Sequence, residues 1–355
     1  MNDTTAVAFE NVDILFSRDR KGDLGTALSM LDSGADRATI LQRTGVVLGV
    51  AGASLTVKRG ELCVLMGLSG SGKSTLLRSA NRLARVTRGH VWLADGDSRA
   101  DVATCSAATL RRLRRERVAM VFQQFALLPW RTVRENVALG LELRGMGRAE
   151  RMRIVDEKLA LVGLSQWADR HASELSGGMQ QRVGLARAFA TDADVLLMDE
   201  PFSALDPLIR ARLQDELLDL QSRVRKTILF VSHDLDEALK LGTRIAIMES
   251  GRIVQQGTPE DIVLRPENDY VAAFVRHMNP LDALRGRAVM RPPRAERDLP
   301  SLPEDTPLRR IVDLRYSSGQ AVLMTRGEAI TGIVGDEEIL RALTGADRVE
   351  KIPAA

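Results

Sequence analysis

The chain has 355 residues, 45% of them apolar and 27% charged, an ordinary globular composition with room for two or three domains and a sizeable core. Fifty basic residues against 47 acidic ones leave a net charge of +3, too even a balance to argue for a polyanionic partner. No apolar run approaches the roughly 20 residues that span a bilayer, and no basic region followed by an apolar core opens the chain as in a signal peptide. The two cysteines, Cys63 and Cys105, make no spaced framework, which points to a reducing compartment. The expectation is a cytoplasmic protein whose membrane role, if it has one, runs through a partner chain.

In chain order, Ala6–Phe16 alternates apolar and polar residues in part and predicts a strand. The charged, glycine-containing stretch Arg18–Gln42 carries helical patterns around Gly25–Leu31 and Ala38–Thr44. Gly49–Val57 predicts a second strand, and Lys58–Glu61 turns into Leu62–Met66, a short apolar run of the kind buried in parallel sheets. The next nine residues, Gly67–Thr75, fit G-x-x-x-x-G-K-[ST] and open a helix expected to run from Ser74 to Leu83. A strand, a glycine loop and a helix N-terminus aim backbone N–H groups and a positive dipole end at one place, which suits phosphate oxygens. Gly67, Ser69, Gly70, Ser71, Gly72, Lys73, Ser74 and Thr75 are therefore candidate nucleotide-binding residues. Lys73 has the reach for the β- and γ-phosphates and the Ser74 hydroxyl suits Mg²⁺.

Farther on, Gly89–Leu93 predicts a strand. Leu110–Arg117 carries five arginines without interleaved aromatics, so a solvated helix face is favoured over nucleic-acid binding. The strand Val118–Phe122 ends at Gln123-Gln124, and a helical region is expected from Val133 to about Leu164. Ser176-Gly177-Gly178 precedes a helix over Gln180–Ala190. The buried strand at Val195 ends in Asp199-Glu200, Ser203–Asp206 leads into an amphipathic helix to about Arg225, and the strand Thr227–Val231 ends at Ser232-His233-Asp234. Arg244–Glu249 and Arg252–Gln256 flank Ser250-Gly251 as a hairpin. Strands alternating with helices predict an α/β core with a mainly parallel sheet. Beyond Pro280, five of the twelve prolines crowd into residues 281–307, which read as a linker, and Leu308–Gly345 reads as a small strand–strand–helix unit.

Phosphoryl transfer to water needs Mg²⁺, an oriented water and donors at the γ-phosphate. An apolar strand ending in two carboxylates delivers them to the edge of a parallel sheet where ligands bind. Asp199 suits Mg²⁺, and Glu200 suits acceptance of the water's proton. His233, just past another strand, suits donation to the γ-phosphate, and the Gln123 amide suits Mg²⁺ and the water. Taken alone, an acidic pair reads as a cap or turn, and a lone histidine as structural. The glycine turn at Ser176–Gly178 has no lysine and no strand before it. It is either a turn capped by Ser176 or a second phosphate-facing surface presented to another subunit.

Taken together, the Gly67–Thr75 loop, Gln123, LSGGMQQR at Leu175–Arg182, LLMDEP at Leu196–Pro201, SALD at Ser203–Asp206 and His233 resemble, in order and spacing, the nucleotide-binding subunits of ABC transporters. The resemblance covers about Ala6 to Pro280. It implies a P-loop NTPase cassette, with a mixed-sheet core and a helical subdomain over about residues 124–178, followed by a small C-terminal α+β appendage. It also implies a homodimer with two ATP molecules at the interface, each between Gly67–Thr75 of one subunit and Ser176–Gly178 of the other, with Asp206 linking the two sites. Membrane permease subunits and, indirectly, a substrate-binding protein are the implied partners, and the cytoplasmic face of the bacterial inner membrane is the implied location.

Leu24–Val50, MGLSGSGKST, FSALDPLIR and SHDLDEAL further resemble the ATPases of glycine betaine, proline and choline uptake, with amino-acid or polyamine importers and permease-free ABC ATPases as alternatives. Many such ATPases stack an aromatic residue on adenine. Aligned on Leu55–Gly60, that place falls near Thr44, and no Phe, Tyr or Trp occurs from Ser17 to Val91, which leaves Phe16 as a substitute across the extra segment. The tail, residues 308–355, resembles one CBS-like unit, too short for a pair.

Overall fold

The computed structural model describes residues 4–17, 23–123, 126–203, 205–276, 278–293 and 298–344. Gln124, Ala204, residues 18–22 of the extra segment, 294–297 of the expected linker and the end of the tail lie outside the described residues. The chain divides into two compact units, residues 1–233 with 248–253, and residues 234–247 with 254 onward.

The first unit opens with β1 (Thr5–Ser17), α1 (Leu24–Asp32), α2 (Arg37–Thr44) and β2 (Val46–Lys58). β1 and β2 pair antiparallel, with Phe16 opposite Val47 and Ser17 opposite Val46, so the ends of the two strands meet although 28 residues separate Ser17 from Val46 along the chain. After β3 (Leu62–Met66) comes α3 (Lys73–Ser79), then β4 (Arg88–Asp95), β5 (Ser98–Asp101), α4 (Ala107–Glu116) and β6 (Val118–Val121). α3 stops short of the expected Leu83 because Arg82 adopts a left-handed φ of 56°. One antiparallel sheet has the order β2-β1-β4-β5.

The helical region expected from Val133 to about Leu164 is made of two helices, α5 (Val133–Leu143) and α6 (Arg148–Leu161). Gly145, at φ 76°, ends the first helix. α5 begins with a capping box in which Thr132 and Glu135 satisfy each other's backbone N–H groups. α5, α6 and α7 (Gly177–Ala190) pack around Val137, Leu141, Val155, Leu159 and Val183, all essentially solvent-free. β7 (Val195–Asp199), α8 (Pro207–Val224) and β8 (Thr227–Val231) complete this unit. Parallel pairing of β6 with β7, β7 with β8 and β8 with β3 builds the second sheet. Every residue of β3, β7 and β8 is buried, which is why their sequences are continuous rather than alternating apolar runs.

Arg111, Arg112, Arg114 and Arg115 are exposed, as expected of a solvated helix face, and several of the arginines also bond within the chain. Arg112 and Arg117 both bond Asp95, Arg117 also reaches Asp194, and Arg114 donates to the Asn81 carbonyl.

The second unit includes α9 (Leu235–Leu241) and most of β9 (Arg244–Glu249) and β10 (Arg252–Gly257). Ser250-Gly251 joins β9 to β10 with both residues at positive φ, as expected for a tight hairpin. There follow α10 (Pro259–Leu264), α11 (Asp269–Val275), α12 (Pro280–Ala283), α13 (Gly286–Val289), β11 (Ser301–Pro303), α14 (Leu308–Ser318), β12 (Val322–Arg326), β13 (Ala329–Val334) and α15 (Asp336–Thr344). The proline-crowded stretch is therefore not a bare spacer. Gly286 N–H donates to the Thr306 carbonyl at 3.0 Å and Arg287 N–H to that of Glu304 at 2.8 Å. Pro280 sits in the first turn of α12, Pro307 caps α14 and Pro303 ends the edge strand β11, positions where a missing N–H costs nothing. The tail adds α14 and β11 to the expected strand–strand–helix. β11 pairs parallel to β12 and β12 antiparallel to β13, giving the order β-α-β-β-α.

Candidate active site

The glycine loop wraps between β3 and α3 because only glycine fits it at two points. A Cβ on Gly67, at φ 147°, would lie 2.2 Å from the Met248 carbonyl oxygen, and one on Gly72, at φ 103°, would lie 2.5 Å from that of Gly49. The Ser71 N–H donates to the Leu68 carbonyl within the loop, while the Ser71 carbonyl accepts from the Gly251 N–H. The Lys73 ammonium folds back onto the loop, donating to the Gly67 and Leu68 carbonyls at 2.8 and 2.9 Å. Burial lowers its pKa, and the Glu200 and Asp199 charges oppose that shift.

β7 delivers Asp199 to the foot of the loop, fully buried. The Ser74 hydroxyl donates to its Oδ1 at 2.6 Å, and Arg78 Nε donates to Oδ2 at 2.9 Å. Immediately after the strand, Glu200 takes a left-handed φ of 47°, a conformation that bulky residues hold only under constraint. Its carboxylate is gripped from two sides, by Gln123 Nε2 at 3.3 Å and His233 Nδ1 at 3.2 Å. Gln123 follows β6 and His233 follows β8, the strands flanking β7, so the parallel register itself assembles these groups at one sheet edge.

A cavity of about 480 Å³ joins these parts, lined by Ser69, Gly70, Gly72, Lys73, Ser74, Thr75, Gln123, Glu200, His233 and also Arg37. Ser74 and Asp199 bring two oxygen donors together. Among the described residues no cluster of three or more His, Cys, Asp or Glu side chains forms a metal cage. That donor set fits Mg²⁺, which keeps several waters and nucleotide oxygens in its shell. Ser176, Gly177, Gly178 and Asp206 are not among the residues lining this cavity. Within the single chain Ser176 caps α7, accepting from the Met179 N–H, and Asp206 caps α8, accepting from that of Ile209.

Two residues at the site were underrated by sequence reasoning. The Thr44 hydroxyl is tied to the Ile40 carbonyl and to the Val46 N–H at the end of α2. Phe16, 43% exposed, lies instead beside the loop: a Cβ on Gly49 would meet its Cε2 at 2.8 Å and the Thr75 Cγ2 at 3.2 Å. Counting back along β2 misses it, since the cross-strand partner of Val47 lies on the far side of the extra segment. The other residue is Arg37 of α2, for which the sequence carried no signal.

Comparison with known proteins agrees with this architecture. The family model described as ABC transporter matches residues 50–203. The glycine betaine/proline betaine transport system ATP-binding protein ProV of Escherichia coli is 46% identical over 320 residues, 90% of this chain and 78% of that one. The glycine betaine transport ATP-binding protein OpuAA of Bacillus subtilis is 50% identical over 273 residues, 77% of this chain and 63% of that one. Among solved structures, the dimeric post-hydrolysis state of the ATP-binding cassette MJ0796 bound to ADP and Pi matches with a TM-score of 0.60 and 29% identity, over 71% of this chain and 98% of that one. Identity this high over most of both chains, on a fold with the same cassette architecture, leaves one assignment: the protein belongs to the ATP-binding subunits of ABC transporters and is an ABC ATPase.

Proposed function

We propose that this ATPase hydrolyses ATP with Mg²⁺ at the phosphate-loop cavity and, as a dimer with a second copy, powers uptake of a quaternary-ammonium solute of the glycine betaine type through membrane permease subunits. The observation that carries the catalytic part is the Glu200 carboxylate held between Gln123 and His233 beside the loop. In this reading Glu200 accepts the proton of the attacking water, and His233 and Gln123 keep its carboxylate aimed at that water. On binding ATP, Lys73 exchanges its loop carbonyls for the β- and γ-phosphates. Its burial strengthens that interaction, because little water screens the charge. Ser74 and Asp199 would hold Mg²⁺, whose charge offsets that developing on the phosphate oxygens.

The Phe16 ring stacks on the adenine. Ser176, Gly177 and Gly178 of the second copy bind the γ-phosphate through the N-terminus of α7, and Asp206 joins the two sites across that interface. The α5–α6 region and the Gln123 segment engage the permease at the cytoplasmic membrane surface. A substrate-binding protein and the permease select the solute. The names of the relatives support the solute class, and the shared motifs support the dimer.

The test is purification of the tagged full chain from detergent-solubilised membranes, followed by ATPase assay of whatever complex is recovered. The expected outcome is an integral-membrane partner and hydrolysis stimulated by glycine betaine with its binding protein. Recovery with ribosomes or nucleic acid in place of a membrane protein would overturn the transport role. Stimulation by an amino acid or polyamine alone would overturn the solute class.

A further inference from the structure

The α1–α2 hairpin lies outside the stretch matched by the family model, and the nucleotide reading assigns it no task. It is nevertheless firmly held. Ala27, Leu31 and Ile40 pack with Leu15 of β1 and with Val46 and Leu48 of β2 in a cluster of their own. Arg88 clamps it from below, donating to both Asp32 oxygens at 2.9 and 2.7 Å and to Asp13 at 2.6 Å. Asp36 caps α2, accepting the Thr39 N–H at 2.7 Å, and so sets where the first residue of that helix points.

That first residue is Arg37. Its guanidinium leaves the hairpin and donates to the Gly70 carbonyl of the phosphate loop at 2.7 Å. Arg37 also lines the same cavity as Lys73, Glu200 and His233. Arginine carries five donors in a planar fork, and Gly70 occupies one arm. Among the described residues no carboxylate forms an ion pair with it. A cation held at the mouth of a phosphate cradle, without a neutralising partner and with donors to spare, has the geometry that binds phosphate oxygens, bidentate where the fork allows.

We propose that Arg37 contacts the terminal phosphates of the bound nucleotide and thereby joins the α1–α2 hairpin to the active site. This rests on the nucleotide reading of the cavity, and one experiment separates the two. Binding of MgATP and of AMP to the purified full chain is measured by calorimetry for the wild type, Arg37→Met, Arg37→Lys and Lys73→Ala, with thermal melts to confirm folding. Arg37→Met keeps the aliphatic stem and removes the charge. It should weaken MgATP about tenfold, the scale of one charged hydrogen bond, while AMP changes less than twofold. Arg37→Lys should recover most of the loss, which a purely steric role of the side chain would not allow.

MgATP binding within twofold of wild type in folded Arg37→Met, or an equal loss for AMP, overturns the role of Arg37 while leaving the nucleotide site intact. A wild type that binds no MgATP, or a Lys73→Ala variant that binds it normally, overturns the nucleotide reading and this inference together.

Discussion

The proposed chemistry turns on one side chain of the cavity, Glu200. Its left-handed backbone costs about 1–3 kcal/mol in general terms, and bonds from Gln123 and His233 hold its carboxylate in place. Glu200→Gln keeps the shape and most hydrogen bonds but cannot take a proton. Turnover should fall by about a hundredfold or more, with MgATP affinity within a few-fold of wild type. Steady-state hydrolysis beside equilibrium binding checks this, and a variant that still turns over rapidly removes Glu200 from the role. Residue types and spacing announced this group, because Asp199-Glu200 closes an apolar strand after a phosphate-loop motif. Phe16 was reached only as a substitute for a missing aromatic, and Arg37 stayed hidden. Each reaches the loop from an element distant along the chain, and neither sits in a motif.

Among the elements, the buried strands were the most legible. β3 is five consecutive apolar residues, and β7 and β8 each carry four beside a single polar end residue, Asp199 or Thr227, because burial on both faces favours that composition. Helix ends were less so. α3 stops at Ser79 and the region after Val133 splits at Gly145, both because a single residue turns left-handed, and Arg82 is of a type that gives no warning of it. In the proline-rich stretch Pro303 ends a sheet-edge strand and Pro307 caps a helix, while Pro292, Pro293 and Pro300 lie outside any helix or strand. The α1–α2 hairpin depends on its small core, in which Ile40 is wholly buried. Ile40→Ala should cost about 2–4 kcal/mol in that local cluster. Hydrogen exchange over residues 24–44 should then rise with the central strands still protected. Unchanged exchange there would mean that the hairpin is held by Arg88 and Arg37 alone.

For the molecule as a whole, the single chain leaves Ser176 and Asp206 as helix caps and Gly177-Gly178 in the first turn of α7, none of them among the cavity lining, so their proposed work belongs to a second copy. Ser176→Arg places a long cation where the partner's nucleotide would sit. It should abolish the rise of specific ATPase activity with protein concentration while leaving MgATP binding by the isolated chain unchanged, as read by concentration-series kinetics and calorimetry. Loss of binding in the isolated chain would put Ser176 in its own subunit's site instead.

The sequence alone was enough to determine the cassette, the phosphate loop and the sequence neighbourhood of Gln123, Asp199, Glu200 and His233. Each of these lies in a local pattern, a glycine spacing or a strand end, that its chemistry requires. It could not determine that Gln123 and His233 meet on one carboxylate, for that follows from the register of β6, β7 and β8. Nor could it place Phe16 beside Thr75 or Arg37 on Gly70, because both contacts depend on strand pairing and hairpin packing across the extra segment. Local chemistry leaves a mark in local sequence; contacts made by folding distant segments together leave none.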